Sequence, residues 1–253
     1  MLLILLYHRA IDCQYGNPAS TLRSHFSQLR QRFQASLPGE ALRPGHLNLC
    51  LTFDDASADF FGYVFPLLQE FSLRAVLAVP TAFIVEKTSL SLEDRMAVPC
   101  DQAMGGELFR TRAPFCTWEE LKLMAASGLV EVASHSHHHI DLTLPESDAK
   151  SEAVRSKMIL EQRLGRAAST FAFPFGKVNS QTYGIIRQHY RYAMRIGGAL
   201  NAGWSPKRQP LCRVGADRVS DIGQLTRWHR LARYGLKWAA NGVRAATGKW
   251  DAR

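Results

Sequence analysis

Short, fully apolar runs alternate with longer amphipathic stretches along most of the 253 residues, and this rhythm limits the fold more than any other feature. LLILLYH (2–8) has the length and continuous apolarity of a strand buried on both faces, and LNLCLTF (47–53), RAVLAVP (74–80) and LVEVAS (129–134) read as further strands. STFAF (169–173), YRYAMRI (190–196) and LCRVGA (211–216) are shorter candidates of the same kind. Between them, HFSQLRQRF (25–33) sets Phe26, Leu29 and Phe33 on one helical face, and FGYVFPLLQEF (61–71) reads as a helix kinked by Pro66. TWEELKLMAASG (117–128) carries a Thr N-cap, a Glu at the third helical position and a closing Gly. A further helix is expected through 147–164, and residues 86–115, which lack clear periodicity, are expected to form a long loop. Strand–helix alternation without hairpin dipeptides predicts a parallel sheet. Some seven strands in a chain of this length predict an α/β fold, a closed or nearly closed (β/α)7–8 barrel. Residues 1–216 would form the barrel domain and residues 217–253 a basic, helical C-terminal extension.

The chain is 46% hydrophobic and 21% charged, as in soluble globular proteins. No segment reaches the roughly 20 apolar residues of a membrane span. MLLILLYHRA lacks the basic start, the longer apolar stretch and the cleavage site of a secretory leader, so a buried strand is the preferred reading. Cys13, Cys50, Cys100, Cys116 and Cys212 are scattered and never form CxxC, which speaks against a disulfide framework or a thiolate zinc site. A reducing, cytoplasmic location is expected. The net charge of +9 sits mostly at one end: Arg227, Arg230, Arg233, Lys237, Arg244, Lys249 and Arg253 face only Asp251. Leu225, Trp228, Ala232, Leu236, Ala239 and Val243 follow helical spacing there, with the basic residues mostly on the other side. Two readings stay open: a helix packed on the barrel with a solvated basic face, or peripheral contact of residues 224–253 with an anionic membrane, aided by Trp228, Trp238 and Trp250. No recognised nucleic-acid module accompanies the charge, so nucleic acid is not an expected partner.

Three motifs fall at the C-terminal ends of strands, where β/α barrels place their chemistry. LTFDDAS ends a strand in adjacent carboxylates, Asp54 and Asp55, which can divide labour as general base and metal ligand. A helix N-cap beside a solvated acid is the plainer alternative. EVASHSHHHIDLT (131–143) concentrates His135, His137, His138 and His139 after a strand. His135 and His139 stand four apart, a spacing that can aim two imidazoles at one ion, and Asp55 would add a carboxylate. In TFAFPFGKVN (170–179), Pro and Gly force a turn that exposes backbone N–H groups.

TFDD after a strand, then H-S-x-x-H, then a strand ending FPFG, in this order, resembles the polysaccharide deacetylase family (carbohydrate esterase family 4, NodB homology domain) over residues 2–216. The resemblance implies a distorted β/α barrel and a hydrolase that removes N-acetyl or similar acyl groups from amino sugars in a polysaccharide, oligosaccharide or lipid-linked glycan. It implies a divalent metal: zinc first, with Co2+, Ni2+, Fe2+ and Mn2+ as alternatives. Asp55, His135 and His139 would be its ligands, Asp54 the catalytic base, and the Phe175 backbone N–H an oxyanion donor. His137 and His138 fall at the motif's variable positions, so either is expected to tolerate alanine with the metal still held.

This chain also departs from the pattern. Ala56 replaces the glycine of TFDDG, which is tolerable where φ stays negative. Ala172 stands where the family carries an arginine that supports the base; Arg213 is the candidate replacement, and an arginine on the barrel surface is the other reading. The late leucine–histidine motif has no convincing match, since His229 lies in a helix-like WHRLARYG. LLYHRAI, however, resembles a subgroup with rearranged motif order, and that resemblance implies His8 as general acid. A degenerate member that binds glycan or metal without turnover, and a membrane-surface interaction protein, are the competing functions.

Overall fold

The computed structural model describes residues 1–99, 101–204 and 209–246; Cys100, Lys249, Trp250, Asp251 and Arg253 of the expectations above lie outside them. Seven parallel strands close into one barrel in sequence order: β1 (Leu2–Tyr7), β2 (Asn48–Phe53), β3 (Ala75–Val79), β4 (Val130–Ser134), β5 (Thr170–Ala172), β6 (Tyr192–Ile196) and β7 (Leu211–Gly215). β1 pairs with β2 along its whole length and closes the ring through Leu5 and Leu6 against Val214 and Gly215. The β4–β5 seam is the loosest, with Ser134 opposite Phe171 as its one registered pair.

Alternation along each strand divides the buried residues into two sets. Leu2, Ile4, Cys50, Val76, Ala78, Ala133, Ala172, Met194 and Leu211 fill the barrel. Leu3, Leu5, Leu49, Leu51, Phe53, Leu77, Val132 and Phe171 point outward and meet the helices. The outer layer is α1 (Ala19–Arg32), α2 (Phe65–Phe71), α5 (Trp118–Ala126), α6 (Ala149–Leu164), α7 (Ser180–His189) and α8 (Trp228–Ala246), with α3 (Leu92–Met96) and α4 (Leu108–Arg112) within the long connection. Behind the end of β2, Phe53 stacks on Tyr7 at 5.0 Å and meets Phe60 edge-on at 5.0 Å. Each such aromatic burial contributes about 1.5–3 kcal/mol, which fixes the strand end that carries the paired carboxylates.

The capping box of α5 is present, with Thr117 and Glu120 bonding reciprocally. Three expectations need correction. Pro66 does not kink a uniform helix; a π-helical turn over Phe60–Val64 precedes α2, and Pro66 sits in its first turn. Residues 86–115 are not structureless: they contain α3 and α4, each too short to show a hydrophobic period. Buried Arg95 clips this segment, donating to the Ala113 and Phe115 carbonyls and to both oxygens of Glu120. The third correction concerns α8, which turns Leu231 and Tyr234, not Trp228 and Leu236, toward the barrel. Among the described residues no helix is long and apolar enough to cross a membrane.

Candidate active site

The alternation that fills the barrel also selects which polar side chains reach its mouth. Asp54 continues the inward series Cys50 and Thr52, His135 continues Glu131 and Ala133, and Arg213 follows Leu211 on β7. Arg213 is 0% exposed and grips Asp54 with both nitrogens, Nη1 to Oδ1 at 2.6 Å and Nη2 to Oδ2 at 2.8 Å. It is thus an interior residue, and it brings to Asp54, from β7, the guanidinium that Ala172 cannot offer from β5. Burial alone would raise the Asp54 carboxyl pKa, but the Arg213 charge overcomes it and holds the pKa below the ordinary carboxylate value. Removing either partner would strand a buried charge, a loss of about 3–5 kcal/mol.

Beyond Asp54 the chain turns sharply: Asp55 has φ 70° and Ala56 φ 51°. The condition of a negative φ at Ala56 is therefore not met; the residue occupies the left-handed region that the family's glycine would suit. The turn is pinned by the returning long connection, through Cys116 N–H to Ala56 O at 2.7 Å and Ala58 N–H to Pro114 O at 2.8 Å. It presents Asp55 Oδ1 to His139 Nε2 at 3.2 Å and His135 Nε2 at 3.5 Å. The candidate ligand atoms of Asp55, His135 and His139 all lie within 4.8 Å of one another. His135 Nδ1 lies 2.8 Å from the Ala172 carbonyl oxygen, which sets Nδ1 as the protonated nitrogen and aims the Nε2 lone pair at the cluster. Asp55 Oδ1 is buried and has no hydrogen-bond partner. Two imidazoles and a carboxylate converging on an acceptor that no donor satisfies fit a divalent cation.

One carboxylate shapes the histidine loop. Glu152, in the first turn of α6, accepts the His137 and His138 N–H groups on Oε2, each at 2.8 Å, and its Oε1 lies 2.6 Å from His138 Nδ1. Ser136 Oγ accepts the His139 N–H at 2.9 Å, where His139 takes φ 53°. His137 is buried, with Nδ1 2.8 Å from Thr81 Oγ1, and burial lowers its pKa to about 4. His138 stays half-exposed. His137 and His138 thus build the loop, and neither joins the cluster of Asp55, His135 and His139.

His8 follows β1 at the same mouth. Asp217 binds it twice, accepting the His8 N–H at 3.1 Å and standing 2.6 Å from Nδ1. Burial works against the charged imidazole, but the Asp217 bond and the fields of Asp54 and Asp55 outweigh it and raise the pKa to about 9. The acids around His8 thus favour its protonated form. The next two residues tie this segment to the stretch that follows β2: Arg9 Nε and Ala10 N–H both donate to buried Asp59, at 2.9 and 2.7 Å. Across the mouth, Phe175 has φ 58° and packs edge-on against His139 at 4.8 Å. The turn's own hydrogen bonds use the Gly176 and Lys177 N–H groups, not that of Phe175. Asp217, Glu152 and Asp59 escaped the sequence reading. Asp217 had a visible signal, an acid directly after a candidate barrel strand; Glu152 and Asp59 look like ordinary helix-end acids.

These features define a parallel β/α-barrel protein with an acid–imidazole cluster at its C-terminal mouth. The polysaccharide deacetylase family matches residues 44–193, more than half of the chain, and the chain belongs to that family. Over 133 residues the chain is 33% identical to the poly-beta-1,6-N-acetyl-D-glucosamine N-deacetylase of Escherichia coli (strain K12), covering 48% of this chain and 18% of that protein. The chain thus spans less than a fifth of that relative's length. It is 24% identical to the YxkH protein of Bacillus subtilis (strain 168) over 230 residues, 86% of this chain and 71% of the relative. The solved structure of IcaB from Ammonifex degensii shares the fold at a TM-score of 0.67 and 21% identity, over 92% of this chain and 96% of that one.

Proposed function

We propose that this protein is a metal-dependent deacylase that hydrolyses the N-acetyl or a similar N-acyl group of an amino sugar within a glycan. One observation carries the reading. A carboxylate held ionised by Arg213 and an imidazole held protonated by Asp217 share the mouth with a three-donor cluster. Environments that push two titratable groups apart in this way assign a base and an acid. Asp55, His135 and His139 would hold the cation, which when bound supplies Lewis acidity, lowering the pKa of water and polarising an acyl oxygen. Asp54 takes the proton of the attacking water. The Phe175 N–H donates to the oxyanion that develops on the carbonyl. His8 delivers its proton to the departing amine, which an amide does not expel unprotonated. The name of the Escherichia coli relative supports an amide of glucosamine over an ester.

A degenerate, non-hydrolytic member is disfavoured because Arg213 compensates Ala172 and His8 supplies an acid that the late motif lacks. The zinc-loaded protein, given N-acetylated glucosamine oligomers, nucleotide sugars and lipid-linked sugars, should release acetate from at least one class. Zinc bound at one equivalent with no acetate from any of them would favour the degenerate reading.

A further inference from the structure

Helix α8 has three faces. One faces the barrel: Tyr234 is buried, its carbonyl accepts the Leu200 N–H at 3.3 Å, and Asn241 Nδ2 donates to Cys212 Sγ at 3.6 Å. A second carries Arg230, Arg233, Lys237 and Arg244. The third carries Trp228, Ala232, Leu236, Ala239 and Val243, with Trp228 81%, Leu236 75% and Val243 65% exposed. At about 100° per residue this apolar stripe spans an arc of about 80°, and the basic stripe is centred about 130° away. No acidic residue interrupts Trp228–Ala246.

The stripes identify their occupant by chemistry. A nucleic acid would use the cations but leave Trp228 and Leu236 in water. A second copy seated on the same face by two-fold symmetry would oppose like-charged stripes. An anionic lipid surface satisfies both faces at once, with acyl boundary for the tryptophan and leucine and headgroups for the arginines and lysine. We propose that α8 is a membrane-surface helix that seats Trp228 and Leu236 in an anionic bilayer and sets Arg230, Arg233 and Lys237 against its headgroups. It docks the protein without crossing the bilayer. The proposal stands apart from the deacylase reading, because it uses none of the residues at the barrel mouth.

Flotation of the full chain with vesicles tests it. Wild type should float with phosphatidylcholine–phosphatidylglycerol vesicles and stay behind with phosphatidylcholine alone. Trp228→Ser with Leu236→Ser, on exposed positions, should lower the bound fraction about tenfold or more, and Arg233→Glu with Lys237→Glu should do the same. An unchanged circular dichroism spectrum shows that each variant is folded. Failure of wild type to float, or flotation of the serine variant equal to wild type, overturns the proposal. So does a wild-type dimer in sedimentation velocity that the serine variant converts to monomer while neither floats, since a second copy is then the occupant.

Discussion

Ala56 illustrates how small the margins are at single residues. A left-handed alanine costs roughly 1–2 kcal/mol. Glycine there would relieve that strain but lose a buried methyl of about 0.8 kcal/mol and add roughly 0.5–1 kcal/mol of chain entropy to fix. The two nearly balance, so a chain can keep alanine where its family prefers glycine. The sequence shows the substitution but not the sign of φ, which is set by the Cys116 and Ala58 hydrogen bonds from a segment without periodicity. Arg213 was legible only as a candidate, because its partner comes from a strand 159 residues away. Asp217 makes a sharper test. It is the strongest group raising the His8 pKa, so Asp217→Asn should bring the His8 imidazole down from about 9, toward or below its ordinary 6.5. An NMR titration of His8 in the metal-free protein reads this directly, and an unmoved titration would remove Asp217 from the account.

At the scale of elements, the histidine loop and α6 act as one unit. Density and spacing of imidazoles made the loop conspicuous in the sequence, and the His135–His139 pair is the one the structure brings together with Asp55. Its scaffold was not legible: Glu152 lies 14 residues beyond His138, in a helix whose first turn looks merely acidic. Three contacts to one carboxylate hold the loop, whereas the half-exposed His138 side chain makes only one of them. Glu152→Ala should therefore weaken zinc binding about 10–100-fold, the usual range for outer-shell partners, while His138→Ala changes it little. Isothermal titration with zinc separates the two, and equal losses would contradict the division of roles.

The whole molecule was the most legible scale, because burial on both faces leaves mostly apolar runs in the strands, unbroken in β1 and β3, and helices between runs force parallel pairing. Those same strands hide a titrating group inside the barrel. Glu131 on β4 accepts a hydrogen bond from Thr170 at 2.5 Å, yet burial, with the Glu40 charge, pushes its pKa up to about 7. A carboxyl whose pKa is raised by folding contributes stability that is present below its ordinary 4.5 and lost as pH rises through about 7. Glu131→Gln keeps the shape without titrating. Its stability relative to wild type should rise by about 1–3 kcal/mol between about pH 5 and about pH 8 in urea unfolding of metal-free protein. A difference independent of pH would show that Glu131 is already ionised in the fold.

If the barrel mouth hydrolyses an N-acyl sugar with Asp54 as base, loss of that carboxylate must abolish turnover without loss of the cation. Acetate release from N-acetylated glucosamine oligomers is measured for wild type and Asp54→Asn at equal bound zinc, a condition that also shows the variant has folded with the cluster of Asp55, His135 and His139 intact. Wild type should release acetate, and the variant should lose about 100-fold or more of that rate. Release by Asp54→Asn at the wild-type rate would contradict that role for Asp54.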